Sequence, residues 1–324
     1  MKIDDGTWSL SAAEAARGRE RPEAFGVRGM VACAHPTAAS IGVSIMQRGG
    51  NAFDAAIAVA AAEGVLLPMS CGLGGDAFVI AHSAAKRETL AFNGSGVAAA
   101  GATQEYFARQ GFKKMPLDGV HAASVPGAVG VYEALWKRYG TLPWEDLWQP
   151  AIALASGGLA ITEYIGHRFA ERADLLSRYP HSAAQFLPNG RAPEAGERWA
   201  APNLARTLRA VAKGGAETFY RGEIAERILA ALKSDGALFE AADFARQEPG
   251  IYVPISTDYR GCTVYETAPP SQGFLVLEQL NILEGFDLAS LPAFGAERIH
   301  LLVEAKKLAF ADRNRYAGDP AYVD

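Results

Sequence analysis

Three short stretches carry residue types able to do chemistry, and none is sufficient alone. Gly72-Leu73-Gly74-Gly75-Asp76 offers backbone amides with no Cβ in the way, as a phosphate cradle requires. A dinucleotide fingerprint runs strand, turn, helix, whereas here an apolar helical run precedes the glycines, a strand pattern follows, and no GK[ST] is present. The stretch therefore reads as a tight turn with pocket-lining backbone at Gly74, Gly75 and Asp76. Cys71, beside Ser70, becomes a nucleophile only if a histidine such as His35 approaches it; otherwise it is a buried small hydrophobe. No GxSxG elbow occurs, since NGSGV is one residue short of it. Asn93-Gly94-Ser95-Gly96 is the more informative polar cluster, because a loop at a strand end is where small-molecule contacts are often mounted. His35, His82, His121, His167, His181 and His300 never fall at HxH or HxxxH spacing, so no metal site is expected, and no motif here calls for a cofactor. His300 reads as a packing residue on a helix, and Asp312-Arg313 with Glu304 as helix-end charge or an ion-paired network.

The elements that must position these residues open as β-α-α-β-β. VRGMVACAH, from Val27, has the β-branched look of a strand, and ASIGVSIMQRGGN is a helix stopped by Gly49 and Gly50. NAFDAAIAVAAAEGVLLP follows with Asn51 as N-cap and Asp54 in the first turn; being apolar on all faces, it predicts a helix buried between layers. AFVIAHS and ETLAFNG predict a hairpin around Ala84–Lys86. From Gly101 to about Ala245 the periodicity is helical, interrupted by an irregular connector, SRYPHSAAQFLPNGRAPEAGERW. VPISTDYRGCTVYETAPP then supplies two strands, and QGFLVLEQLNILEGF and ERIHLLVEAKKLAFADRNRYAGDP two helices.

The 324 residues are 49% hydrophobic and 21% charged with a formal charge of −5, which removes nucleic acid and an anionic membrane as partners. Residues 1–26 are polar and aperiodic and form an extended or poorly ordered lead-in; residues 27–324 read as one compact unit. Cys33, Cys71 and Cys262 form neither a disulfide framework nor a zinc site, so a reducing compartment fits. Without a basic start and apolar h-region the chain is expected in the cytoplasm, or in the periplasm or outside the cell if a leader was removed.

Several segments resemble the large subunit of the gamma-glutamyltranspeptidase family. GGNAFDAAIA, CGLGGDAFVI, VPGAV, PPSQG and ADR occur in family order, within a resemblance covering roughly residues 29–323. The resemblance implies an α/β (α+β) fold, the αββα sandwich of N-terminal nucleophile hydrolases, with residues 27–324 as the large-subunit part of one domain. It implies a precursor that cuts itself into two chains and a nucleophilic Thr at the N-terminus of the small subunit, activated by its own α-amino group. On that reading no catalytic residue lies in this chain. The partner is the small subunit of the same precursor, in a heterodimer with a dimer of heterodimers left open, and the substrate is a small amide. A non-catalytic binding or scaffold member of the same fold is the alternative. A chain with half a sandwich is expected to leave an open apolar face.

The departures from the family pattern bear on substrate. Transpeptidases proper carry an Arg-Glu pair after this strand, and the Arg grips the α-carboxylate of the glutamyl donor; here Asn93 and Gly94 stand there. An amide cannot replace a guanidinium fork. The resemblance thus implies substrate contacts at Asn93, Gly94 and Ser95, further lining at Ser271 and Gln272 of PPSQG, and a place in the acylase and amidohydrolase branch.

Overall fold

The computed structural model describes residues 24–323 and, before them, the backbone of two short antiparallel strands, β1 (Lys2–Asp4) and β2 (Thr7–Ser9). The rest of the expected lead-in lies outside the described residues. Residues 27–35 form no strand: no strand lies beside them among the described residues, and the Ala34 amide is taken instead by the Glu63 carboxylate at 2.9 Å. A strand needs a hydrogen-bonded neighbour, whatever its propensity.

Helix α1 (Pro36–Gln47) starts on His35, whose Nδ1 accepts the Thr37 amide at 3.1 Å, and Gly49 beyond its end takes the left-handed backbone expected of a glycine stop. Helix α2 (Ala52–Leu66) opens with a capping box in which Asn51 accepts the Phe53 and Asp54 amides and Asp54 accepts that of Asn51. Asp54 does more than complement the helix dipole. Fully buried, it also accepts the Thr141 amide at 3.1 Å and the Thr141 hydroxyl at 2.5 Å. It ties α2 to the turn between helices α4 (Ala128–Tyr139) and α5 (Trp144–Gly157).

Strands β3 (Phe78–Ser83) and β4 (Glu88–Asn93) form the expected hairpin, with Phe78 opposite Asn93 and Ser83 opposite Glu88; helix α3 (Gln104–Arg109) follows. A strand the sequence reading lacks, β7 (Gly250–Tyr252), pairs with β4 and completes the order β3-β4-β7. Residues opposite one another share a sheet face. Phe92 is fully buried on the helical side, edge-on to Tyr139 of α4 at 6.3 Å. The other face presents Phe78 and Ile80, 42% and 39% exposed, level with Asn93 and Ala91. The sheet is covered by helices on one side and open on the other.

The helical layer consists of α2, α4, α5 and a long helix, α9 (Pro202–Tyr220), packed through Ile57, Val129, Leu147, Trp148, Leu208 and Val211. Between α5 and α9 run β5 (Leu159–Ala160), α6 (Glu163–Glu171), α7 (Ala173–Ser177), α8 (Pro180–Phe186) and β6 (Arg198–Trp199). The expected irregular connector therefore contains α8. Pro180 is the first residue of that helix, where a missing N–H costs nothing, and Phe186 stacks on Trp199. Helix α9 continues past Gly214-Gly215: Gly215 has a positive φ, and the Glu133 carboxylate receives the Ala216 amide at 2.9 Å and restarts the helix.

Helices α10 (Glu223–Ser234) and α11 (Ala241–Ala245) precede β7. The hairpin of β8 (Ile255–Tyr259) and β9 (Cys262–Glu266) leads to α12 (Phe274–Glu284) and α13 (Ala296–Tyr316), which enclose a second, smaller core around Leu283, Leu288 and Ala305. No helix among the described residues is long and apolar enough to cross a membrane.

Candidate functional site

The two polar loops singled out in the sequence meet at one end of the open sheet. Asn93 closes β4, and its Oδ1 accepts the Ser95 amide at 2.8 Å, turning the chain off the sheet. The Gly94 amide continues the hairpin by one rung, donating to the Ala77 carbonyl at 2.8 Å. Two residues on, the Gly96 amide donates to the carboxylate of Asp76 at 3.1 Å. Asp76 and the Asn93–Gly96 turn are thus one structure, built across the β3-β4 pair.

The glycine turn works in the opposite sense to an anion cradle. It presents a carbonyl, that of Gly75, which accepts the amides of Gly127 and Ala128 at 3.1 and 3.0 Å and so caps the start of α4. Here the backbone admits no side chain: a Cβ on Gly127 would lie 1.9 Å from the Gly94 carbonyl oxygen, and one on Gly94 2.8 Å from that of Gly127.

Residues distant in sequence hold the turn. The Gln247 side chain accepts the Val97 amide at 2.8 Å and donates to the Ser95 carbonyl at 3.3 Å; Asp243 accepts the Ala100 amide at 3.0 Å; Arg246 donates to the Ala98 carbonyl at 2.7 Å. Gln247 and Asp243 are buried. The Tyr220 hydroxyl donates to the Pro126 carbonyl at 2.7 Å and accepts the Gly130 amide at 3.1 Å, and burial pushes its pKa up to about 12, so it stays a neutral donor. Neither Gln247 nor Tyr220 stands out in the sequence, since a polar residue in a short connector or at a helix end carries no periodic signal.

The remaining candidates separate from this end. Ser271 and Gln272 lie in the turn between β9 and α12. The Ser271 hydroxyl is engaged locally with Thr267, and the nearest tie to the sheet is the Ala268 amide donating to the Tyr252 hydroxyl at 3.1 Å. No hydrogen bond joins them to the Asn93 turn among the described residues. Cys71 is half-buried, and burial first and Glu63 second push its thiol pKa up, the reverse of what a nucleophile needs. His35 is engaged in capping α1. His300 is exposed on α13 rather than packed, Glu304 pairs with Lys307, and Asp312 faces Glu278, whose carboxyl is pushed up by burial and by that neighbour. The site end thus presents the Asn93 amide, the Ser95 hydroxyl and the Asp76 carboxylate, with the Asp243 carboxylate and the Arg246 guanidinium paired with each other and bonded to the backbone of the turn, and no nucleophile bonded to a base among the described residues.

The model of the family described as gamma-glutamyltranspeptidase matches residues 38–324. The chain belongs to the gamma-glutamyltranspeptidase family. It is 37% identical over 301 residues to a glutathione hydrolase-like proenzyme, YwrD, of Bacillus subtilis, covering 93% of this chain and 57% of that protein. It is 36% identical over 315 residues to an acylase ACY 1 proenzyme of a Pseudomonas species, covering 94% of this chain and 56% of that protein. Two solved structures superpose closely. The gamma-glutamyltranspeptidase of Helicobacter pylori does so with a TM-score of 0.89 at 33% identity, over 94% of this chain and 88% of that one. The cephalosporin acylase of Bacillus halodurans gives 0.90 at 35% identity, over 100% of this chain and 60% of that one. The helices and one-sided sheet are the large-subunit portion of the N-terminal nucleophile hydrolase fold. The chain spans about half the length of the curated relatives it matches. Glutathione hydrolases and acylases both stand among them, so family membership leaves the branch to the site residues.

Proposed function

We propose that this chain is the large subunit of a self-processed amidase or acyltransferase, in which an N-terminal Thr of the small subunit attacks a small amide and residues of the Asn93 turn hold its acyl group. The observation that carries this reading is the open sheet face: Phe78 and Ile80 stand 42% and 39% exposed beside Asn93, at the end where the turn collects its polar groups. An apolar face ending in a polar turn suits a second strand layer that delivers a nucleophile to that end. The small subunit of the same precursor is the partner the reading requires.

The turn supports the acylase side of the family. Asn93 keeps its carbonyl on the Ser95 amide, leaving its NH2 and the Ser95 hydroxyl to make neutral hydrogen bonds to an acyl group. Neither gives the bidentate grip on a carboxylate that a guanidinium gives. The preferred substrates are amides whose acyl group lacks the α-amino acid head. The test is kcat/KM of the processed protein for a γ-glutamyl anilide against an anilide without that head. A higher value for the second supports the reading; a strong preference for the first contradicts it.

A further inference from the structure

We propose that Asp76 sets the charge preference of this site, drawing acyl groups that carry a cation or an N–H donor and turning away those that carry a carboxylate. The inference rests on the amidase reading and goes beyond it in naming the residue that selects and the class it selects.

A carboxylate has two oxygens and about four acceptor positions, and the structure occupies few of them here. Oδ1 accepts the Gly96 amide at 3.1 Å, and no ion pair forms with Asp76 among the described residues. The residue is exposed, on the rim of the turn rather than beneath it. Its backbone is held on both sides: the Gly75 carbonyl before it caps α4, and the Ala77 carbonyl after it receives the Gly94 amide. The negative charge therefore cannot swing away with its loop. Partial burial pushes the Asp76 carboxyl above the ordinary aspartate range, with only the Gly96 amide acting against this and no cation among the causes. The Asn93 amide and the Ser95 hydroxyl beside it are neutral, and the one guanidinium on the turn, that of Arg246, is already engaged by the Ala98 carbonyl and the Asp243 carboxylate. A fixed, half-engaged carboxylate beside neutral donors attracts a donor and repels an anion, which is selection by repulsion as much as by attraction.

The test uses the processed heterodimer and three anilides of matched reach, 4-aminobutyryl, pentanoyl and glutaryl, whose far ends are cationic, apolar and anionic. The reading is the ratio of kcat/KM for the 4-aminobutyryl to the glutaryl substrate. Asp76→Asn keeps an oxygen for the Gly96 amide and removes only the charge, so the ratio should fall on the order of tenfold, mainly through KM. Raising the salt concentration from about 0.05 to 0.5 M should compress the wild-type ratio in the same direction. Asp76→Ala removes both the charge and the acceptor. If Asp76→Ala loses turnover while the ratio in Asp76→Asn equals that of wild type, the residue only supports the turn and the proposal is overturned. Should Asp76→Asn fail to process, a wild-type ratio near one and insensitive to salt overturns it equally. If the wild type cleaves pentanoyl anilide but the ratio ignores Asp76, this inference falls alone; if it cleaves no amide, the amidase reading falls with it.

Discussion

The side-chain carbonyl of Gln247 accepts the backbone amide of Val97 at 2.8 Å, joining two segments 150 residues apart. With its NH2 on the Ser95 carbonyl, Gln247 fixes both sides of the turn proposed to hold the acyl group. Gln247→Leu fills the same space without either bond and leaves two backbone groups unpaired. It should destabilise the fold by about 1–3 kcal/mol. It should also lower kcat/KM by about tenfold, read by denaturant unfolding and anilide hydrolysis. Unchanged activity would show that the turn holds its shape without Gln247.

Asn93→Arg tests the substrate reading from the opposite direction. A guanidinium at the end of β4 restores a bidentate grip on a carboxylate, a contact of about 2–5 kcal/mol when desolvated. The ratio of kcat/KM for γ-glutamyl over head-less anilides should rise by about 10²-fold, measured on the processed variant. No rise would mean that position 93 does not face the acyl group.

Asp54 ties the start of α2 to the turn between α4 and α5. It is fully buried and accepts the amides of Asn51, Thr141 and Leu142 and the Thr141 hydroxyl. Asp54→Ala strands these donors and should cost on the order of 3 kcal/mol or more. Thr141→Val, which removes a single hydroxyl donor, should cost about 1 kcal/mol. Chemical denaturation of both variants reads the difference.

His35 gives the protein a pH-dependent helix cap. Burial pushes its imidazole below the ordinary histidine range, with Glu63 acting more weakly the other way, so the fold favours the neutral form whose Nδ1 accepts the Thr37 amide. A depressed folded value means that the cap contributes fully above about pH 6.5 and is lost as pH falls through the lowered value. His35→Asn caps without titrating. It should match wild type within about 1 kcal/mol at pH 8 and surpass it progressively below pH 6 in thermal melts.

What the sequence shows most plainly is local. The Asn51 cap, the Gly49 stop and the β3-β4 hairpin all follow from residues within a few positions of one another, and the structure has each of them. The family motifs name Asn93 and Gly94 as contacts and Asp76 as lining without joining them; the hydrogen bond from the Gly96 amide to Asp76 that unites them is seen in the structure. The sequence does not show how those residues are supported, because the support is non-local: β7 is a strand only by virtue of β4, and Gln247 finds its two partners through packing. Residues 27–35 fail as a strand for the same reason, having the propensity but no adjoining strand among the described residues.

The central claim is that this chain works beside a partner cut from the same precursor. It is tested most directly by expressing the full reading frame, resolving the purified active protein on a denaturing gel and sequencing the N-terminus of each band. The account predicts two bands, the smaller beginning with Thr, and loss of both cleavage and amide hydrolysis when that Thr is replaced by Ala. A single uncut chain that hydrolyses the anilides would contradict it.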